Sequence, residues 1–94
     1  MKNCSTAKNE FLRLSDHWRL AFDNNQWIIQ NYSGRKWRSL SFVGGFKRVL
    51  MRDLRRHGVK LDPDAHRIVA KLPDHFLDFI RNPNGYLIDE LEGV

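Results

Sequence analysis

Cysteine is nearly missing from this chain: Cys4 is the only one in 94 residues, so no disulfide can form within the chain. A small secreted fold held by disulfides is thereby excluded. No apolar run approaches the roughly 20 residues that a membrane-spanning helix needs. The polar stretch 1–9 also lacks the apolar centre of a secretory signal. The expectation is a cytoplasmic protein with no membrane partner, in which Cys4 is a solvent-exposed thiol without a structural task.

Catalytic signatures are lacking as well. There is no Gly-x-Ser-x-Gly elbow, Walker loop, dinucleotide fingerprint, or Cys/His pair with an orienting acid. His57, His66 and His75 recur at intervals of nine, whereas ligands on a helix stand three or four apart, and no Cys pair completes a zinc site. Most acids lie in the C-terminal third, where helix starts account for them better than the convergent carboxylates of a nuclease would. Gly44-Gly45 reads as a strand-to-helix hinge and not as a phosphate loop. The chain is expected to be no enzyme, with no catalytic residue, no metal and no cofactor.

What is present suffices for a folded core: hydrophobic residues make up 41% and aromatics 12%. The length suits one small domain over 1–94, with a mobile N-terminal tail over 1–12 and a loose acidic tail over 86–94. Trp18–Phe22, Trp27–Tyr32 and Trp37–Val43 are rich in aromatic and β-branched residues and read as strands. Asn24-Asn25 suits a type I′ turn between the first two, and Gly34-Arg35 a type II′ turn between the last two. Two-residue loops there pair Phe22 with Trp27, Leu20 with Ile29, Ile29 with Leu40 and Trp27 with Phe42. That register puts Trp18, Leu20, Phe22, Trp27, Ile29, Leu40 and Phe42 on a core face. Arg19, Ala21, Ile28, Gln30, Tyr32, Trp37, Ser39 and Ser41 fall on the opposite face, with Tyr32 directly across from Trp37.

Beyond Gly44-Gly45, the apolar residues Phe46, Val49, Leu50 and Leu54 mark one stripe of a helix over 46–57, which Gly58 ends. Arg48, Arg52, Arg55 and Arg56 then cluster on the side away from that stripe. Asp62-Pro63 starts a short helix through about Leu72, Pro73 interrupts, and Asp74–Arg81 forms another. The fold class is therefore α+β: a three-stranded antiparallel meander packed on a basic helix, followed by two short C-terminal helices.

Charge is divided unevenly along this plan. Between Arg35 and Lys60 stand nine basic residues and one acid, Asp53, a net of +8, whereas from Leu61 onward seven acids face three bases, a net of −4. Even with the acidic third folded over the basic block, the block would stay positive, and such a field attracts phosphate backbones or acidic protein surfaces. The candidate binding residues are Arg35, Lys36, Arg38, Arg48, Arg52, Arg55 and Arg56, together with Tyr32 and Trp37 on the second sheet face. That face is either a recognition surface, aromatic and rimmed by guanidinium groups, or a surface covered by the two C-terminal helices.

Three readings of the basic block follow. It contacts DNA or RNA directly, with the aromatic sheet face supplying stacking; it docks on a host protein or ribonucleoprotein; or it is a solvated surface whose arginines pair with C-terminal acids. A meander backed by a helix resembles, in architecture alone, the DNA-binding domains of some phage integrases. The segments Gln26-Trp27-Ile28-Ile29-Gln30, Gly34, Trp37-Arg38-Ser39-Leu40-Ser41-Phe42-Val43 and Leu50-Met51-Arg52-Asp53-Leu54-Arg55-Arg56-His57-Gly58 resemble small uncharacterised proteins carried by prophages and other mobile elements. The resemblance covers Trp18 to Gly58. Proteins of this size from such elements include anti-CRISPR inhibitors, which act without catalysis by occluding a site on a CRISPR effector complex. The resemblance thus implies a non-enzymatic phage protein that inhibits or modulates a nucleic-acid-handling complex in the bacterial host cell. The basic balance disfavours mimicry of DNA.

Overall fold

The computed structural model describes residues 9–86. The chain is α+β, with a four-stranded antiparallel sheet in the order β1-β2-β3-β4. The strands are β1 (Asn9–Ser15), β2 (Trp18–Phe22), β3 (Trp27–Ser33) and β4 (Lys36–Val43). Helices α1 (Lys47–Arg56), α2 (Pro63–Ala70) and α3 (Phe76–Phe79) follow, then a 3-10 turn over Pro83–Tyr86. The acidic tail expected over 86–94 lies, beyond Tyr86, outside the described residues, as does Cys4.

The first correction is β1, since residues 9–12 were expected in a mobile tail. Glu10-Phe11-Leu12-Arg13-Leu14 does not alternate in polarity, so it carries no clear strand signal. Two register shifts, one between Glu10 and Leu12 and one between Arg13 and Ser15, resolve this. Each bulge inserts a residue and changes which face the next side chain takes. Phe11 and Leu14 are thereby buried beside the partly buried Leu12, while Arg13 stays exposed.

The β2–β3 register is as expected, with Phe22 opposite Trp27 and Leu20 opposite Ile29, but its turn differs. Neither Asn24 nor Asn25 has a positive φ. Instead the Asp23 carboxylate accepts hydrogen bonds from the backbone N–H groups of Asn25 (2.8 Å) and Gln26 (3.0 Å), so a side chain does the work of the turn. In the β3–β4 hairpin Gly34 (φ 62°) and Arg35 (φ 70°) are both left-handed, which is a type I′ turn and not type II′.

The β3–β4 register agrees with expectation only near the tip. Tyr32 lies opposite Trp37 and Gln30 opposite Ser39, but Ile29 then pairs with Ser41, leaving Leu40 as an extra residue. Past this bulge every β4 side chain changes face. Val43 replaces Phe42 against Trp27, and Leu40 and Phe42, expected in the core, are 45% and 53% exposed. Ser41 turns instead to the helix layer, where its Oγ donates to the Asp53 carboxylate at 2.6 Å.

All three helices pack on one side of the sheet, where Leu14, Leu20, Trp27, Ile29 and Val43 meet Leu50, Leu54, Ile68, Val69, Phe76 and Phe79. Phe46, expected in the α1 stripe, is instead exposed and lies 4.3 Å from the His75 ring. Lys47, one of the nine bases in the charge block, is committed to structure: its Nζ donates to the carbonyls of Ala70 (3.1 Å) and Leu72 (2.9 Å) at the end of α2. At the centre of the core Trp27 is fully buried, edge-on to Phe76 at 5.3 Å. Its Nε1–H has no acceptor among the described residues.

Two stability outcomes follow. Phe11→Ala should cost about 3–5 kcal/mol in urea denaturation, whereas a residue in a mobile tail would cost nothing measurable. Trp27→Ala should cost about as much. Trp27→Phe should cost well under half of that, because it also removes an unpaired buried donor whose penalty is about 1–3 kcal/mol.

Candidate polyanion-binding surface

The outer surface of α1 follows from its period. With Leu50 and Leu54 turned down onto the sheet, Arg48, Arg52, Arg55 and Arg56 stand at i, i+4, i+7 and i+8 on the opposite side. All four are exposed, and the side chains of Arg52 and Arg56 keep 59% and 71% of their accessible surface. From Arg48 to Arg55 the stripe covers about 10 Å of helix axis. Arg55 and Arg56 lie in the last turn, where the helix dipole favours cations.

Little opposes this charge. Asp53 lies 3.6 Å from Arg52 Nε and 4.0 Å from Arg56 NH1, and the same carboxylate is already bonded to Ser41. Among the described residues Arg35, Lys36, Arg38, Arg48 and Arg55 make no ion pair. Among the described residues no acid after α1 forms an ion pair with them: Asp64 pairs within its own helix with Arg67, at 3.0 Å, and Asp74 only shares a pocket with Arg48.

Register places the rest of the candidate residues. Leu40, Ser41, Asp53, Arg56 and His57 line one groove, so α1 runs back along β4 and its C-terminal end points toward the hairpin tip. Lys36 pairs with Ser33 and Arg38 with Asn31, the parity opposite to that of Tyr32 and Trp37, which puts both cations on the helix side of the sheet. They and the α1 arginines therefore share one side of the molecule, with Arg35 at the turn itself. Arg35 occupies the left-handed region, where a residue other than glycine or asparagine costs about 1–2 kcal/mol. Strain of this kind in a charged tip residue directs attention to function.

Tyr32 and Trp37 are on the other side. Their rings are 5.2 Å apart at 59°, and Tyr32 is exposed. The two C-terminal helices do not cover this face, because Ile68, Val69, Phe76 and Phe79 all belong to the core on the opposite side. The nine candidates thus divide between two surfaces. Sequence reasoning misses two residues on the aromatic face: Arg13, because the tail expected over 1–12 leaves no strand over Asn9–Ser15, and Phe42, because the bulge at Leu40 has no local signature.

Among the described residues no group of three or more His, Cys, Asp or Glu is placed to hold a metal ion, and no helix is long and apolar enough to cross a membrane. Comparison with protein families, with curated proteins and with solved structures finds no match.

Replacing Arg35 tests whether the strained turn is kept for its charge. Arg35→Gly should raise the unfolding free energy by about 0.5–1 kcal/mol, since glycine takes positive φ freely. The same variant should bind heparin or duplex DNA more weakly. A variant that is neither more stable nor a weaker binder would assign Arg35 no role.

Proposed function

We propose that this chain is a non-enzymatic binding module that takes the phosphate backbone of a nucleic acid along the outer side of α1 and the β3–β4 hairpin tip. The observation that carries this reading is the stripe Arg48, Arg52 and Arg55, all exposed and paired, among the described residues, with a single carboxylate, that of Asp53, which is already bonded to Ser41. Guanidinium groups donate in a planar fork that matches phosphate oxygens, so a row of them that outnumbers its one paired acid favours a polyanion over a single small anion. Lys36 and Arg38 extend the row past the helix end. Backbone contacts of this kind give affinity without reading sequence.

A second reading rests on the exposed Leu40, which shares a groove with Arg56. Apolar side chains bordered by cations also suit a protein interface. In that reading the chain is a small phage or mobile-element protein in the bacterial cytoplasm. It inhibits or modulates a host nucleic-acid-handling complex, such as a CRISPR effector, by docking on it in the manner of an anti-CRISPR inhibitor.

Fluorescence anisotropy with a random-sequence duplex separates the two. Direct binding predicts micromolar affinity at moderate salt that weakens steeply as salt rises. Converting Arg48, Arg52 and Arg55 together to Glu should abolish it, with a melting temperature within about 5 °C of the parent, because exposed substitutions cost little. Single Arg→Ala changes should each lower the slope of log affinity against log salt by about one. No binding of any free nucleic acid, with stoichiometric co-purification of a host protein, would exclude the first reading in favour of the second.

A further inference from the structure

The sheet face turned away from the helices bears its own arrangement of rings and cations, contributed by all four strands. Arg19 on β2 holds its guanidinium 4.3 Å from the centre of the Trp37 ring, and Arg13 on β1 holds its own at 5.1 Å. Arg19 is locked in place: its Nε donates to Gln30 Oε1 at 2.6 Å and its NH1 to Glu10 Oε1 at 3.1 Å. Gln30, itself buried, passes the connection on from its Nε2 to Ser39 Oγ at 3.0 Å. The chain Glu10, Arg19, Gln30, Ser39 therefore crosses the sheet from edge to edge and holds Trp37 beneath a guanidinium plane. Arg13 is exposed and makes no ion pair among the described residues.

Two further rings extend this site along the sheet. Tyr32 stands beside Trp37, 39% exposed. Phe42 pairs with Ile28, four residues before Tyr32 on the same strand and hence on the same face, and is 53% exposed. At about 3.3 Å per residue Tyr32 and Phe42 are separated by about 13 Å. They are two exposed rings on one sheet face, with the buried Gln30 and Ile28 between them and with Arg13 and the hydrogen-bonded Arg19 near one of them.

A duplex offers such a surface little, because its base faces are stacked on one another; a single strand offers both unstacked bases and phosphates. We propose that this face is a platform for single-stranded nucleic acid, with bases against Tyr32 and Phe42 and a phosphate at Arg13. The platform rests on the nucleic-acid reading above but uses the opposite side of the sheet, and it assigns parts to Arg13, Arg19 and Phe42 that the α1 stripe does not need. Arg19 is a positioning residue, orienting Trp37 and committed to Glu10 and Gln30. Charge complementarity argues for the occupant: the site presents Arg13 and Arg19 against one acid, Glu10, on a chain of net charge +5.

The test compares three probes on the whole chain: labelled oligodeoxythymidine of about 12 nucleotides, an abasic oligomer of equal length and charge, and a duplex. The intact protein should bind the thymidine strand about tenfold or more tighter than the abasic one, as stacking on even one ring implies. Joint change of Tyr32→Ala and Phe42→Ala should reduce thymidine binding to the abasic level and leave abasic and duplex binding unchanged. Tyr32→Leu, which keeps apolar bulk if the alanine variant folds poorly, should show the same selective loss in smaller measure. Arg13→Glu should weaken both single strands while sparing the duplex.

Equal affinity for thymidine and abasic strands, with duplex binding retained, overturns the platform but not the α1 reading. Failure to bind any of the three probes overturns both. Selective loss of a protein partner in the Tyr32 and Phe42 variants, with oligomer binding unchanged, overturns the platform in favour of a protein interface.

Discussion

The bulge at Leu40 governs how the two sides of this molecule differ. A strand exposes alternate residues to alternate faces, so one inserted residue exchanges the faces of everything beyond it. Without the insertion Phe42 would face the core and Ser41 the solvent side. With it, Ser41 points into the helix layer and binds Asp53, which ties α1 to the strand along which it packs. Val43 takes the place beside Trp27, and Phe42 is released to the far face. The attachment of the basic helix and the ring on the opposite surface share this one cause.

Packing all three helices on one side of a four-stranded sheet is the other large constraint. In a chain this small, a single core is what can be filled, and Trp27, Phe76 and Phe79 occupy much of it. The consequence for charge is direct. Cations on α1 cannot turn inward, since Leu50 and Leu54 hold the inner stripe, and the hairpin tip extends Lys36 and Arg38 on the same side. On the far face the side chains of Glu10, Arg19, Gln30 and Ser39 are joined by hydrogen bonds. Each side keeps cations that no acid among the described residues pairs: Arg48 and Arg55 on α1, and Arg13 beside Trp37.

Several features were legible in the residues because they depend on neighbours in sequence. The α1 stripe at Leu50 and Leu54, its termination at Gly58 (φ 71°), the start of α2 at Pro63 and the pairing of Phe22 with Trp27 all rest on local period or local turn chemistry. The helix arginines were placed by the same reasoning. Turn types were less secure: Asp23 replaced the expected asparagine conformation with a side-chain hydrogen bond, and Arg35 adopted a positive φ that its residue type does not favour.

By itself the sequence determined the composition of each surface: a helix with arginines opposite leucines, strands bearing aromatic residues on both faces, and a basic block followed by an acidic third. Only the tertiary structure decided that residues 9–15 complete the sheet, that Phe42 and Leu40 are outside, that Arg13 and Arg19 meet Trp37, and that the aromatic face lies on the side opposite the helices. The physical reason is bulge placement. A bulge is selected by the fit of whole faces, with Phe11 and Leu14 seeking the core from one edge of the sheet and Ser41 seeking Asp53 from the other. Those partners lie far along the chain or across the sheet, where no local period records them.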